Sequence, residues 1–389
     1  MSNEMTSAGF WQSEQCLVMV NPRDPGAVAE AGIIRPWLEQ QPALSGHMLF
    51  ATSGSSGGRK WVVLSRQALL ASAAMVNRHL SAATSDRWLM ALPDFHVGGM
   101  GIFARSYDAG CGLLRMEGKW NPGVYHDMAD AEKITLSSLV PTQLFDLVQR
   151  GFKAPDSLRA LLIGGGRLAD DLYVRAVGLG WPVMETYGMT EAASQIATTM
   201  SGHRDLKILP GWQTKLTQEG NLSIKGDSLL SAYVCCTGDS CLLNDPLVDG
   251  WFDTGDRVAM TADTIKVRGR ADRCVKVLGE LINLSEIEGR VLQHAARCQS
   301  LSQSPSPIPE LAVVAVPDSR KGNRLVLCAD QQTDVDQIRK HYNQECHPVE
   351  RIDELCCLGE IPRSPMGKVL YGALSEAVVE QRVAEGWRK

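Results

Sequence analysis

Strand-length apolar runs, separated by polar turns, recur through the first half of the chain. Met48-Leu49-Phe50 and Trp61-Val62-Val63-Leu64 flank one polar stretch. Further runs occupy Cys16–Val20, Trp88–Leu92, Leu136–Val140, Leu158–Ile163 and Pro182–Met184. Between them apolar residues return every three or four positions, the helical period. Ser65 reads as an N-cap for a stripe made by Leu69, Ala73, Val76 and Leu80. Helices are expected over 27–38, 100–107, 142–150 and 170–177, with Pro141 at an opening position where proline is tolerated. Strands alternating with helices of these lengths predict a layered α/β sheet.

Beyond about residue 205 the runs shorten and turns such as Gln218-Glu219-Gly220-Asn221 and Asp249-Gly250 become dense. An antiparallel β portion is expected there. A charged, glycine-containing stretch over 267–272 reads as a boundary. After it comes a compact unit, with helices over 284–292 and 335–342 and strands over 311–316 and 324–329. The Ser/Pro-rich stretch 302–309 is taken as a loop within that unit.

Composition narrows the class. The 389 residues allow two or three domains, and 44% apolar with 21% charged residues describes a soluble globular chain. A net charge of −5 argues against a general nucleic-acid binder. The 11 cysteines form neither a zinc nor a disulfide spacing pattern. The polar start, Met1-Ser2-Asn3-Glu4-Met5, lacks a signal-type segment, and the apolar runs fall short of a membrane span. A reducing cytoplasm is the expected setting.

Five clusters could carry chemistry. The first is Thr52-Ser53-Gly54-Ser55-Ser56-Gly57-Gly58-Arg59-Lys60, whose glycines, hydroxyls and cations suit a polyanion. It is no Walker loop, because Arg59 stands five residues after Gly54 where the second glycine belongs, no Ser or Thr follows Lys60, and the following flank is extended. A plain flexible linker is the alternative. The second is Glu185-Thr186-Tyr187-Gly188-Met189-Thr190-Glu191, after a strand, where open sheets bind ligands. Tyr can stack on a flat ring, and Thr and Glu offer oxygens to Mg²⁺ and phosphate. The third is Trp251–Asp256, whose Asp beside Gly suits a ribose diol, although an ordinary β-turn reads the same. The fourth is Gly269-Arg270-Ala271-Asp272-Arg273 with Gly279-Glu280, and the fifth Arg363-Ser364-Pro365-Met366-Gly367-Lys368. Taken alone, each of these two reads first as an exposed, charged loop. A competing signal is Gly164-Gly165-Gly166-Arg167-Leu168-Ala169, which fits a dinucleotide fingerprint with Glu185 about twenty residues on.

Taken together and in this order, the five clusters resemble the adenylate-forming superfamily of acyl-CoA synthetases, luciferases and peptide-synthetase adenylation domains. Within it, three stretches are most similar to o-succinylbenzoate–CoA ligases of menaquinone biosynthesis. They are Phe95–Gly101 with Arg105, Ser138–Leu144, and Thr186–Glu191 with Ser194-Gln195. The resemblance implies an AMP-binding domain over 1–268, a hinge at 269–273, and a small α+β domain over 274–389 carrying the catalytic lysine. It implies ATP, Mg²⁺ and coenzyme A as cofactors and co-substrates. A carboxylic acid attacks the α-phosphate of ATP, and the thiol of coenzyme A then displaces AMP.

On that pattern Thr52–Lys60 grips the β- and γ-phosphates, Thr190 contacts phosphate and Glu191 holds Mg²⁺. Tyr187 and Gly188 flank the adenine, with Gly164, Gly165 and Gly166 on its other side. Asp256 takes the ribose hydroxyls, with Arg270. Lys368 bridges the reacting carboxylate and the α-phosphate. Asp272 is the hinge, and Gly279 faces the thiol channel. His96, Gly188 and Ser194 border the acyl pocket, where Arg105 is the candidate partner for a second carboxylate. Family members carry a longer α/β segment before the glycine loop. The large domain is therefore expected to be N-terminally shortened, and homodimerisation to cover any apolar surface so exposed. Open alternatives are another aryl- or acyl-CoA synthetase, an NAD-binding oxidoreductase using 164–169, and a non-catalytic nucleotide-binding relic.

Overall fold

The computed structural model describes residues 4–53, 59–300, 310–318, 320–330, 335–364 and 367–384. The chain forms two compact units. The first comprises Met1–Lys215, Ser223–Asp253 and Met260–Lys266; the second comprises Leu216–Leu222, Thr254–Ala259 and Val267–Lys389.

The first unit opens with α1 (Ala8–Trp11), β1 (Leu17–Met19) and α2 (Pro25–Leu38). Asp24 caps α2 by accepting from the Ala27 N–H, and Pro25 holds the first turn. The hairpin β2 (His47–Ser53) and β3 (Arg59–Ser65) follows, in register from His47↔Ser65 to Ser53↔Arg59. Gly54–Gly58 lie outside the described residues, as does the Ser53 side chain. Ser65 caps α3 (Arg66–Leu80) through the Ala68 N–H, and the expected stripe Leu69, Ala73, Val76, Leu80 is buried.

Next come β4 (Arg87–Met90), α4 (Val97–Ala109), β5 (Gly112–Arg115), α5 (Pro122–Ala131), β6 (Leu136–Leu139), α6 (Pro141–Gln149), β7 (Ala160–Ile163), α7 (Asp170–Gly178) and β8 (Val183–Met189). The strands β5-β4-β6-β7-β8 are parallel, as the alternation predicts. Helices α5, α6 and α7 bury one face over Leu139, Leu144, Leu161, Ile163 and Trp181. Helix α4 starts three residues earlier than the sequence reading had it, at Val97. The tight packing of Gly99 allows this: a Cβ there would lie 2.0 Å from the Pro93 carbonyl oxygen.

Past Glu185, β8 leaves its parallel partner β7 and pairs antiparallel with β9 (Ser194–Thr198). The cluster Thr186–Met189 therefore projects beyond the carboxyl edge of the parallel strands and is itself strand, whereas the sequence reading ended the strand at Met184. The expected antiparallel portion follows as β10 (Leu206–Ile208), β11 (Gln213–Leu216), β12 (Asn221–Lys225), β13 (Ala232–Thr237), β14 (Ser240–Asn244), β15 (Phe252–Met260) and β16 (Thr264–Arg270). Strand β13 pairs with β3, giving the order β1-β2-β3-β13-β14, against which α2 packs through Ala27, Ala31 and Ile34. Helix α3 touches β3 of this sheet and β9 of the other, so both sheets share the α3–α4 layer.

The second unit adds the hairpin β17 (Cys274–Val277) and β18 (Glu280–Asn283), then α8 (Leu284–Ser300), β19 (Leu311–Asp318), β20 (Gly322–Ala329), α9 (Val335–Glu345), β21 (Glu354–Cys357) and α10 (Tyr371–Ala384). Helices α8 and α9 cover one face of β19-β20-β21 through Ile287, Val291 and Tyr342; α10 covers the other through Leu374 and Val378. The Ser/Pro-rich stretch 302–309 lies outside the described residues. Among the described residues, no helix is long and apolar enough to cross a membrane.

Candidate functional site

The hairpin β2–β3 carries the glycine loop on a stem whose two cations face different tasks. Arg59 donates to Glu30 at 2.9 Å and to Asp24 at 2.7 Å, so α2 already holds its guanidinium. Arg59 is thus an anchor, tied to two carboxylates. The Lys60 Nζ lies 5.4 Å above the Tyr233 ring. The hydroxyl of that Tyr233 donates to Glu191 Oε1 at 2.9 Å. Pairing of β13 with β3, Tyr233 opposite Val62, brings this about. The Leu230 N–H also donates to the Glu191 carbonyl at 2.9 Å. The first and second sequence clusters therefore meet through Tyr233, which the sequence reading did not single out.

Thr190 and Glu191 form a single 3₁₀ turn after β8. One carboxylate and one hydroxyl are a hard-oxygen donor set. Among the described residues no group of three or more acidic, His or Cys side chains could enclose a metal.

A second cluster surrounds Arg105 on α4. Its side chain is 1% exposed, and Nη2 donates to Ser194 Oγ at 3.1 Å. The guanidinium lies 5.7 Å from the centre of the Trp88 ring. Its Nε has no hydrogen-bond partner, and among the described residues no carboxylate pairs with it. Burial pulls its pKa down to about 10, so it remains charged at neutral pH. Gly101 faces it: a Cβ there would lie 3.2 Å from Nη2 and 3.7 Å from Ser194 Cβ. Ser194 itself sits at φ 118°, a strained position for a side chain. At Gly188 an added Cβ would fall 1.6 Å from the Ser194 carbonyl oxygen, so only glycine lets β8 pass β9 at this bulge. His96 is the N-cap residue of α4, with its ring 4.8 Å from that of Phe95.

The 164–169 turn joins β7 to α7, the context a dinucleotide fingerprint needs. Two features oppose that reading. Asp170 and Asp171 occupy the first turn of α7, where a pyrophosphate would bind. Glu185 lies 3.5 Å from Arg204 Nη1 instead of being open to a ribose. At Gly164 an added Cβ would meet Thr186 Oγ1 at 2.4 Å, so the glycine turn packs directly on the strand carrying Tyr187. Tyr187 is half-buried.

In the second unit, Arg270 lies between two acids. Its Nη1 is 3.6 Å from Asp256 and donates to the Thr254 carbonyl at 3.2 Å; its Nη2 pairs with Asp272 at 3.2 Å. Asp256 is 7% exposed, and its N–H donates to Thr254 Oγ1. Next to Asp272, Arg273 is locked in place. Its guanidinium stacks 3.4 Å over the Tyr371 ring and pairs with Glu288 at 3.2 Å, and the Tyr371 hydroxyl donates to Glu288 at 2.5 Å. Burial, then the Glu288 charge, push the Tyr371 hydroxyl pKa upward. Lys368, three residues before Tyr371, is exposed on a tight turn. There Ser364 N–H donates to the Lys368 carbonyl at 2.7 Å, and Arg363 donates to the Gly367 carbonyl at 2.6 Å. Pro365 and Met366 lie outside the described residues. Gly279 forms the β17–β18 turn with Leu278, both at positive φ.

A family model described as AMP-binding enzyme matches residues 7–233. A 2-succinylbenzoate–CoA ligase of Bacillus cereus (strain Q1) is 28% identical over 351 residues, covering 85% of this chain and 69% of the relative. Among solved structures, an Arg-to-Lys variant of Escherichia coli MenE with bound OSB-AMS is 28% identical at TM-score 0.68, covering 86% of this chain and 69% of that one. The Bacillus subtilis o-succinylbenzoate CoA synthetase, in complex with its acyl-adenylate OSB-AMP, matches in fold at TM-score 0.71 and 24% identity, covering 84% and 68%.

Proposed function

From the premise that this chain belongs to the AMP-binding enzyme family, we propose that it is an ATP-dependent acid–thiol ligase acting on 2-succinylbenzoate. The relatives named as 2-succinylbenzoate–CoA ligases support that substrate. One observation carries the choice: the buried Arg105 lacks a carboxylate among the described residues. An uncompensated buried guanidinium is costly unless a ligand supplies the charge. A dicarboxylic acid does so with the carboxylate that does not react, and the Arg fork fits it in two hydrogen bonds.

In this reading two half-reactions are divided among the chain's residues. The reacting carboxylate attacks the α-phosphate of ATP, forming the acyl-adenylate and releasing pyrophosphate. Lys60 and the 52–60 loop take the pyrophosphate side, with Thr190 beside it. Glu191, fixed by the Tyr233 hydroxyl, would hold Mg²⁺, which neutralises charge on the phosphates when bound. Tyr187, with Gly188, and the 164–166 turn enclose the adenine; Asp256, oriented by Arg270, receives the ribose hydroxyls. Lys368 supplies a cation to the reacting carboxylate and α-phosphate, where negative charge builds in the transition state. The sulfur of coenzyme A then forms the thioester bond and AMP leaves. His96 and Ser194 border the acyl group. Asp272, within a hinge at 269–273 between domains 1–268 and 274–389, serves the change between half-reactions, and Gly279 borders the thiol channel. ATP and coenzyme A are cytoplasmic solutes, which puts the reaction in the cytoplasm. The exposed Leu242, Leu243 and Val248 favour a homodimer, for which sedimentation at several concentrations is the check; a strict monomer removes it.

The test is pyrophosphate release from ATP with 2-succinylbenzoate, followed by thioester formation on adding coenzyme A. Release with this acid well above that with benzoate supports the reading. Release with neither acid, or with benzoate alone, overturns it.

A further inference from the structure

Two thiols face each other across the β13–β14 hairpin and take no part in the chemistry above. Cys236 and Cys241 are direct antiparallel partners, and their sulfurs lie 2.9 Å apart. The hairpin closes through Gly238-Asp239, between the partners Thr237 and Ser240, with Gly238 at φ 57°. In a two-residue hairpin the pair beside the turn exchanges hydrogen bonds, so the next pair outward does not. Such pairs bring their Cα atoms to about 4.5 Å, inside the roughly 4.4–6.8 Å that a disulfide accepts. Both cysteines are half-buried. Among the described residues β14 pairs only with β13, which leaves its outer edge open to a small reagent.

Another cross-strand pair provides the contrast. Cys328 and Cys356 are partners on β20 and β21, but both are buried beneath α10. Their mutual hydrogen bond and then burial push the Cys328 thiol upward. No reagent reaches them without opening that layer.

We propose that Cys236 and Cys241 form a modification site, a dithiol that closes to a disulfide within the hairpin by exchange with a low-molecular-weight disulfide. Burial, and then the hydrogen bond to Cys241, push Cys236 up to about 12. The two sulfurs share one hydrogen bond in which either can be the donor, so the geometry lets either thiol attack. The attacking thiol loses its proton, and its thiolate displaces one thiolate from the reagent and forms a mixed disulfide. The second cysteine then gives up its proton, attacks the first sulfur, and releases the second thiol. The protein loses two electrons and two protons, and the reagent gains both pairs. The new ring encloses only Thr237–Ser240, so closure constrains the chain little and the fold persists.

The experiment incubates the full chain with excess oxidised glutathione at neutral pH, alkylates with iodoacetamide, and maps the tryptic peptide 226–257, which also carries Cys235. The expected result is a peptide lighter by two hydrogens, with the link at Cys236–Cys241 and one alkylated thiol at Cys235. Cys328 and Cys356 stay reduced. In Cys236→Ser glutathione should remain trapped on Cys241, and in Cys241→Ser on Cys236, because the resolving sulfur is gone. Full alkylation of both thiols in the wild type overturns the site. Trapping in neither variant overturns the exchange route.

Discussion

Arg105 and Arg273 are both almost inaccessible, at 1% and 7% exposure, yet they are held in opposite ways. Arg273 has a carboxylate, a hydroxyl and an aromatic face: Glu288, Ser285 and Tyr371. Arg105 has one serine hydroxyl, a distant indole and an orphaned Nε. A charge that the fold compensates serves the fold. A charge left uncompensated at a strained, glycine-lined position is the one we propose a substrate completes. On this view Arg273 ties the segment after Asp272 to the start of α10, next to the Lys368 turn, whereas Arg105 is the proposed receptor of a substrate carboxylate.

The same substitution should separate the two most strongly at the level of stability. Arg273→Met leaves the half-buried Glu288 without its cation and should cost about 2 kcal/mol, read as an earlier denaturant midpoint. A midpoint unchanged from wild type would remove Arg273 from the structural side.

A third arginine extends the comparison and adds a pH dependence. Asp86 is held down to about 2, chiefly by hydrogen bonds from Arg159, whose Nε and Nη2 lie at 2.8 and 2.6 Å. Free aspartate titrates near 4, so the contribution is complete above about pH 4 and is lost as pH falls toward 2. Because Arg159 is partly exposed, the loss should be about 1–2 kcal/mol. Unfolding free energies of wild type and Asp86→Asn, measured between pH 5 and 2, should converge toward the acid end. Parallel curves would count against the pair.

The compensated acid of the first unit should show a smaller effect. Tyr233→Phe removes the hydroxyl from Glu191 and should weaken ATP binding by about 1 kcal/mol in the presence of Mg²⁺, and much less in excess chelator. Equal weakening in both conditions would leave Tyr233 with a packing role only. Smallest of all, Arg105→Met should leave stability within about 1 kcal/mol of wild type or raise it, since an unpaired buried charge is replaced by an apolar side chain of similar length. A loss as large as that of Arg273→Met would erase the distinction.

Much of the fold was legible in the sequence because its determinants are local. The β2 and β3 runs, the Ser65 cap and the Pro141 start each declare themselves within a few residues. Helix α5 was missed although Asn121-Pro122 is a sound cap signal, because its apolar residues are sparse and Val124 points outward. The β8 extension through Met189 was missed because it depends on pairing with β9 across a bulge. The motifs named the nucleotide-side residues but not their neighbours. Tyr233 lies 42 residues from Glu191, and no periodicity connects them. Arg59 looked like a phosphate cation until α2 supplied its two acids. Arg105 was visible as a residue, but its lack of a carboxylate is a property of the packed core alone.

The most direct measurement compares wild type and Arg105→Met for pyrophosphate release with 2-succinylbenzoate and with benzoate. Loss of a buried, hydrogen-bonded charge partner should lower kcat/KM for the dicarboxylic acid by about 100-fold, and change that for benzoate by less than about threefold. An undiminished preference for 2-succinylbenzoate in the variant would contradict the assignment of Arg105 as the receptor for the second carboxylate.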